Sequence, residues 1–345
     1  MDYEIIKKLP TAEEIIQKFP LPVEGHEQIA KDRQEVKDIL AGRDNRLLLI
    51  VGPCSAWPYD PVVEYAKKLK KLSTEVEKKM KIIMRLYIQK PRTTRGWTGP
   101  VNQPNPLLPP DIEKGIAYCR KLMIEMINLG LPIADEALFT HNAKGFLELL
   151  SWVAIGARSA EDQEHRIFAS AIGAPAGMKN STSGSITVGV NSVVAVQHPH
   201  IAVFDGNQVE TMGNEYAHLV LRGGECGPNY HIEHIMVAKR LMEEEQVKNP
   251  AIIIDASHDN CKINGGKTLE RQIQVIHEVV NNLREFPELR KTVKGFMIES
   301  FLKDGCQKID VNNPDAIDMG GLSITDPCVG WERTEQLAQE LAEKL

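Results

Sequence analysis

The sequence predicts an α/β fold, a (β/α)8 TIM barrel with an N-terminal helical arm and a β-hairpin insertion before strand 6. Two observations lead to this prediction. Eight short apolar runs recur along the chain, and segments with helical periodicity separate most of them. Each run also ends in or leads to a polar residue that can do chemistry. In a barrel of this kind the strand ends converge on one face, where active sites lie.

The eight runs are the predicted barrel strands. They cover residues 47–51, 81–84, 131–135, 152–157, 175–178, 219–221, 251–254 and 293–298. The polar residues at or just beyond their ends are Cys54, Arg85, Glu136, Arg158, Lys179, Arg222, His258 and Glu299. The fold prediction is therefore also a prediction of where the active site lies.

The segments between the runs carry apolar residues at intervals of three to four, which predicts helices with one buried face. We expect these helices at residues 61–80, 111–129, 143–151, 160–171, 187–196, 232–245, 269–286 and 331–345. Two connections are longer than usual, 89–110 and 201–215, and the second resembles a hairpin of 201–204 with 208–212.

Residues 1–45 precede the barrel and form the predicted arm, and residues 46–345 form the predicted catalytic barrel. Thr11 and Glu14 have the spacing of a capping box that begins a helix. A second helix is predicted at about residues 26–41. An arm of this length is too short for a domain, and we expect it to pack on the barrel or on a second subunit.

Composition excludes several classes of protein. The chain has 345 residues, of which 42% are hydrophobic and 26% charged, as in soluble globular proteins. Its net charge of -6 argues against a nucleic-acid-binding module. No apolar run is long enough to span a bilayer, and the N-terminus lacks the apolar core of a signal peptide, so we expect a cytoplasmic protein with free thiols.

Two sets of side chains stand out at the predicted strand ends. The cationic set needs an anionic partner, and phosphate fits it, although any one member alone could be a surface charge. The second set combines a thiol, an imidazole and two carboxylates, which suits a divalent transition metal, although each member alone could be structural. The cationic set is Arg85, Lys90, Arg92, Arg158, Lys179 and Arg222, and the second set is Cys54, His258, Glu299 and Asp326.

Several short motifs occur in a specific order. They are Gly52-Pro-Cys-Ser55, Lys90-Pro-Arg-Thr-Thr94, Gly156-Ala-Arg158, Lys179-Asn180, Leu221-Arg-Gly-Gly224 with Pro228-Asn-Tyr230, Asp255-Ala-Ser-His258, Ile298-Glu-Ser300 and Ser323-Ile-Thr-Asp326. With them the chain resembles the type I 3-deoxy-D-arabino-heptulosonate-7-phosphate (DAHP) synthases, also named phospho-2-dehydro-3-deoxyheptonate aldolases, from about residue 9 to residue 340. That family condenses phosphoenolpyruvate with erythrose 4-phosphate at the start of the shikimate pathway.

The resemblance implies a role for each matching residue. The implied ligands of a divalent metal ion (Mn²⁺, Fe²⁺, Co²⁺ or Zn²⁺) are Cys54, His258, Glu299 and Asp326. The implied phosphoenolpyruvate site is Arg85, Glu136, Gly156, Ala157, Arg158, Lys179 and Arg222, with an added contact from His258. The implied aldose-phosphate site is Lys90, Arg92 and Thr93. Lys90 is the first candidate for proton transfer, with Glu136 or a metal-bound group as rivals, and a homodimer or homotetramer is expected.

The chain departs from the family where feedback-inhibited members bind their effector. It lacks the acidic segment before the first helix, Asn142-Ala143-Lys144 replaces a Thr-Pro-Gln motif, the run at 156–163 is changed, and the hairpin at 201–215 is shorter than usual. We therefore expect weak or altered inhibition by aromatic amino acids. Separately, Phe139 stands where an Asp is common, at the expected mouth of the site. Two other functions stay open at this point: a related synthase that uses another aldose phosphate, such as arabinose 5-phosphate, and a catalytically silent homologue that binds metabolites.

Overall fold

The computed structural model describes residues 2–92, 95–138, 144–204 and 206–345. Its strands are β1 (Leu47–Gly52), β2 (Met80–Arg85), β3 (Ile133–Glu136), β4 (Trp152–Ile155), β5 (Ala176–Lys179), β6 (Ile201–Phe204), β7 (Asn207–Glu210), β8 (His218–Leu221), β9 (Ile252–Asp255), β10 (Lys262–Ile263), β11 (Gly266–Lys267) and β12 (Val293–Glu299). A closed barrel is formed in the order β1-β12-β9-β8-β5-β4-β3-β2, with every neighbouring pair parallel. The predicted barrel is therefore confirmed.

Helices alternate with most of the barrel strands. The helices are α1 (Ala12–Lys18), α2 (Val23–Leu40), α3 (Tyr59–Val76), α4 (Ile112–Asn128), α5 (Gln163–Ala171), α6 (Ile186–Gln197), α7 (Ile232–Glu244), α8 (Leu269–Glu285) and α9 (Trp331–Lys344). Polar side chains cap the N-termini of several helices. At α4, for example, the Asp111 side chain accepts a hydrogen bond from the Lys114 backbone amide. No helix among the described residues is long and apolar enough to cross a membrane.

The predicted helix at 143–151 is wrong over its described part. Only a short 3-10 helix, Leu147–Leu149, lies between β3 and β4. Apolar residues at 146, 149 and 150 have helical spacing, but arginine side chains bond the carbonyl groups of this segment. Arg33 donates to the carbonyls of Leu147 and Leu150, both at 2.7 Å, and Leu147 O also accepts from Leu150 N in a single 3-10 turn. Ser151 N then donates to Ile133 O of β3, so the chain enters β4 instead of continuing a helix.

Several further boundaries differ from the prediction. The first barrel helix ends at Val76 rather than at residue 80, because Met80 pairs with Leu47 at the start of β2. The helix predicted from residue 160 begins at Gln163, where Asp162 caps it. Strand β4 ends at Ile155, so Arg158 lies in the loop beyond the strand rather than at its end.

The hairpin insertion before β8 is confirmed, with β7 slightly earlier than expected. β6 and β7 are antiparallel and pair Ile201 with Glu210. The capping box is also confirmed, because Glu14 N donates to Thr11 Oγ1 at 3.2 Å and Thr11 N donates to the Glu14 carboxylate at 2.8 Å.

The N-terminal helices pack on the barrel. Val36, Ile39 and Leu40 of α2 are buried in one cluster with the inward-facing residues Leu48 and Ile50 of β1. Residue 48 lies near the start of β1, so α2 closes the end of the barrel at which the strands begin. The opposite end, where the strands finish, is left for the candidate site.

Candidate active site

A cavity of about 600 Å³ lies at the carboxyl ends of the barrel strands. Eight cationic side chains and four carboxylates line it, and this excess of positive charge suits substrates with several negative charges. From the predicted site the lining includes Lys90, Arg92, Glu136, Ala157, Arg158, Lys179, Arg222, His258 and Asp326. Thr93 lies outside the described residues, as do Phe139, Asn142 and Ala143, so their predicted roles stay predictions.

Strand register brings the predicted metal donors together. Gly52 at the end of β1 pairs with Glu299 at the end of β12, which places Cys54, just beyond β1, near the Glu299 carboxylate. A hydrogen-bonding contact of 3.2 Å between Ser55 Oγ and Thr325 Oγ1 holds the Asp326 loop beside them. One potential donor atom from each of Cys54, Glu299 and Asp326 lies within 4.8 Å of the others.

This cluster contains a carboxylate oxygen that is available to bind a metal ion. Glu299 is fully buried, and its Oε2 atom has no hydrogen-bond partner within the described part of the chain. A buried carboxylate oxygen without a partner is costly, and a bound cation would satisfy it. The thiol and carboxylates therefore fit a divalent metal ion.

His258 lies beside the cluster in an orientation that suits a ligand. Its Nδ1 is 2.8 Å from Asp255 Oδ2, an electrostatic contact rather than a well-directed hydrogen bond, and its Nε2 is 4.0 Å from Glu299 Oε1. Burial lowers the pKa of His258 to about 4 despite these carboxylates. The imidazole is therefore neutral at pH 7 and can offer a nitrogen lone pair.

Lys90 reaches the same cluster from the loop after β2. Its Nζ donates to the Cys54 carbonyl at 2.8 Å and to Cys54 Sγ at 3.0 Å. Burial alone would lower the pKa of Lys90, but Cys54, Glu299 and Asp326 outweigh that effect and raise it. Lys90 is therefore charged, and it lies between the donor cluster and the open cavity.

The inner cations are held by buried carboxylates. Arg85 is fully buried, donates to Glu299 Oε1 at 3.0 Å and lies 3.9 Å from the ring centre of Tyr87. Lys179 lies 3.2 Å from Asp255 Oδ2 and 4.0 Å from Glu136 Oε2. These contacts fix the direction of the two cations before any ligand binds.

Gly156 is needed for the position of Glu136. A Cβ atom at residue 156 would lie 2.2 Å from Glu136 Oε1, so any larger residue would displace this carboxylate. Ala157 and Arg158 follow in the loop and line the cavity. Beyond β8, which is separated from β4 only by β5, Arg222 forms an ion pair with Asp259.

Sequence reasoning missed several of the site residues. Lys267 donates to Asp326 Oδ2 at 2.6 Å, yet it lies on β11 of a ribbon of two two-residue strands that no periodicity reveals. Asp255 belongs to the motif Asp255-Ala-Ser-His258, but its contacts with Lys179 and His258 form only in the folded barrel. The remaining cationic residues that were missed are Arg95 and Lys262.

Comparisons with known proteins agree with this geometry. The family model described as "DAHP synthetase I family" matches residues 22–339. The Tyr-sensitive phospho-2-dehydro-3-deoxyheptonate aldolase of Escherichia coli is 37% identical over 342 residues, covering 98% of this chain and 93% of that protein. The Trp-sensitive enzyme of the same organism is 35% identical, covering 98% and 95%.

A solved structure gives the same result. The phospho-2-dehydro-3-deoxyheptonate aldolase of Francisella tularensis superposes with a TM-score of 0.91 at 36% identity, covering 99% of this chain and 98% of that one. From these matches together, the chain belongs to the DAHP synthetase I family.

Proposed function

We propose that this protein condenses phosphoenolpyruvate with D-erythrose 4-phosphate and water to give DAHP and phosphate, the first step of the shikimate pathway. The observation that carries the proposal is one cavity, in a barrel of this family, that joins a metal-donor cluster to eight cationic side chains. Two phosphorylated substrates and a carboxylate account for so much positive charge.

Cys54, His258, Glu299 and Asp326 would hold the divalent ion. Mn²⁺, Fe²⁺, Co²⁺ and Zn²⁺ all suit this donor set. When bound, the ion would supply Lewis-acid polarisation of the aldehyde carbonyl. Asp255, which contacts His258 Nδ1, would orient the imidazole so that Nε2 faces the ion.

Phosphoenolpyruvate would bind against the inner cations. Lys179, Arg158 and Arg222 line the cavity from different strands or from the loops beyond them, with Gly156, Ala157 and Glu136 shaping its wall. Arg85 does not line the cavity and is fully buried at the end of β2. His258 would add a contact to the substrate phosphate. A carboxylate and a phosphate on one small molecule explain why cations from several strands point at one place.

The aldose phosphate would bind at the loop after β2, through Lys90, Arg92 and Thr93. In the reaction, C3 of the enol phosphate bonds to the aldehyde carbon, the aldehyde oxygen gains a proton, water adds at C2, and phosphate leaves. We assign the proton donated to the aldehyde oxygen to Lys90, which is charged and lies at the donor cluster. Glu136, or a group bound to the metal, is the alternative.

The aldehyde specificity is tested by product mass. Purified protein is incubated with phosphoenolpyruvate and either erythrose 4-phosphate or arabinose 5-phosphate, and the products are identified by mass spectrometry. We expect the seven-carbon product from the first aldose. Turnover of arabinose 5-phosphate alone would favour the related synthase, and no product from either would favour a silent homologue.

Weak or altered feedback inhibition stays a prediction from the sequence. Relatives carry the names Tyr-sensitive and Trp-sensitive, whereas this chain departs from the family motifs in the segments that we expect to build an effector site. We expect phenylalanine and tyrosine to leave the rate of phosphate release nearly unchanged. Strong inhibition by micromolar phenylalanine would contradict this prediction.

The arm at 1–45, the barrel domain at 46–345, the cytoplasmic location and the homodimer or homotetramer also stay predictions. Light scattering of the purified protein during size-exclusion chromatography would give the oligomeric state directly.

A further inference from the structure

A second basic pocket lies at the opposite rim of the barrel, where the strands begin. It has a volume of about 430 Å³ and is formed by the turn before β1, the connection between α3 and β2, the 3-10 helix before β12, and the last residue of the chain. Its cationic lining residues are Arg46, Lys78, Lys79, Arg290 and Lys294. We refer to this group as the rim pocket.

Lys294 is the most informative residue of the rim pocket. It is only 7% exposed, yet it makes no ion pair or side-chain hydrogen bond with the rest of the described chain. Its Nζ lies under the turn after α2, since a Cβ atom built on Gly42 would be 3.5 Å from it. Most of the side chain is buried, and the ammonium group reaches the pocket without a partner on the described chain, so an anion in the pocket would compensate its charge.

No carboxylate near Lys294 in the described chain compensates the positive charge of its ammonium group. Burial lowers the pKa of Lys294, and the charge of Arg290 lowers it further. Arg290 itself donates to an oxygen of the terminal carboxylate of Leu345 at 3.5 Å and forms no ion pair with a carboxylate side chain in the described residues. Arg290 is thus compensated by the chain terminus, whereas Lys294 lines the same pocket without a compensating partner of its own.

The acidic residues nearby are already paired. Arg46 Nη2 lies 2.7 Å from Asp44 Oδ2 and 3.0 Å from Glu35 Oε2, so this arginine and these carboxylates compensate one another. Lys78 and Lys79 are exposed and pair with no carboxylate in the described part of the chain. The rim pocket therefore keeps three cations, Lys78, Lys79 and Lys294, that no carboxylate of the described chain compensates, in a protein whose net charge is -6.

We propose that the rim pocket binds a small anion that carries phosphate groups. All three uncompensated cations are lysines, which act as point charges toward phosphate oxygens from any direction, whereas carboxylates are best matched by a planar arginine fork. This anion is separate from the substrates. Lys294 precedes Glu299 by five residues of one strand, which corresponds to about 16 Å.

The test is calorimetric titration of the full chain, stripped of metal by a chelator, with inorganic pyrophosphate at low ionic strength. The wild type should bind two pyrophosphates per chain, one in the catalytic cavity and one in the rim pocket. Lys294→Met should weaken the second event at least tenfold and keep the first, together with unchanged phosphate release from the substrates. The matched control is Lys291→Met, an exposed lysine outside the rim pocket, which should keep both events.

Several outcomes would overturn the proposal. A single binding event in the wild type, or two undiminished events in Lys294→Met, would show that the rim pocket is not a site. An equal loss in Lys291→Met would indicate diffuse surface attraction. Tighter binding of citrate than of pyrophosphate at the event that depends on Lys294 would contradict the assignment to phosphate. The first event and the retained activity show that each variant is folded.

Discussion

The two ends of the barrel satisfy their buried groups in different ways. At the carboxyl ends of the strands, buried charges hold one another, as Arg85 does with Glu299 and Lys179 with Asp255. At the amino ends the interior is apolar, because Ile39 and Leu40 of α2 pack against the inward residues of the strands. The interior of the first end presents polar groups to ligands, whereas the interior of the second end is closed by apolar packing and its charged groups lie at the rim.

The difference shows that the free-energy cost of burying charged groups falls mainly on the end of the barrel that carries the candidate site. A buried ion pair is no more stabilising than well-packed apolar residues of the same volume, so the charges at the carboxyl ends serve chemistry rather than stability. The apolar end supplies stability through burial. We therefore expect substitutions at the two ends to separate activity from stability.

The largest expected effect is the loss of a metal donor at the carboxyl end. Cys54→Ser should lower the rate of phosphate release by about 10³-fold or more, because Lewis-acid stabilisation of several kcal/mol depends on the donor set. The midpoint of urea unfolding should change little. Activity close to that of the wild type would contradict the assignment of Cys54.

A substitution at the amino end should do the opposite. Ile39 is fully buried in the cluster that closes the barrel. Ile39→Ala should lower the free energy of unfolding by about 2–4 kcal/mol through lost burial and a cavity. Urea unfolding measures this loss, and the turnover number of the folded fraction should stay near that of the wild type. A large fall in the turnover number would contradict the proposal that the amino end contributes to stability and the carboxyl end to activity.

Asp255 tests whether the carboxyl-end charges position the donors. Asp255→Asn keeps the size of the side chain but removes the charge that faces His258 and Lys179. Metal affinity should fall about 10- to 100-fold, as for other groups that orient a ligand. Direct titration with Mn²⁺ measures this without reference to activity. Unchanged metal affinity would show that Asp255 holds Lys179 in place but does not orient His258.

Unlike the paired carboxylates at this end, Asp135 has no salt bridge to a cation among the described residues, and burial raises its pKa to about 8. Ile88 N donates a hydrogen bond to Asp135 Oδ1 at 3.1 Å. In the unfolded chain this group ionises near pH 4, so between about pH 4 and pH 8 the folded state holds the extra proton. The free energy of unfolding should therefore fall as pH rises through this window, by at most about 5 kcal/mol.

Asp135→Asn should flatten that slope, because the amide oxygen can still accept from Ile88 N and no proton is lost. Urea titrations of both proteins at several pH values measure the difference. Parallel slopes in the variant and the wild type would show that Asp135 ionises normally in the folded protein.

The sequence was sufficient to predict the barrel and most of the residues that line the site. Glu136, Lys179 and Glu299 are the last residues of their strands, so apolar runs that end in charge located them directly. The order of the motifs then linked Cys54 to Asp326, which are distant along the chain. Such residues can be read from sequence because strand ends in this fold converge.

The rest depended on contacts that no local pattern encodes. Lys267 reaches Asp326 from a short ribbon, and Lys294 is buried in the rim pocket although lysine in a strand suggests an exposed side chain. The failed helix before β4 had the correct apolar spacing, but Arg33, far away in the chain, bonds its carbonyl groups. Tertiary contacts decided each of these cases.

The most direct test of the account is phosphate release from phosphoenolpyruvate and erythrose 4-phosphate by protein stripped of metal. We expect almost no release after treatment with a chelator, and full recovery when Mn²⁺ is added back to the wild type but not to Cys54→Ser. Undiminished release by the stripped protein, or full recovery in the variant, would contradict a metal-dependent synthase at the carboxyl end of this barrel.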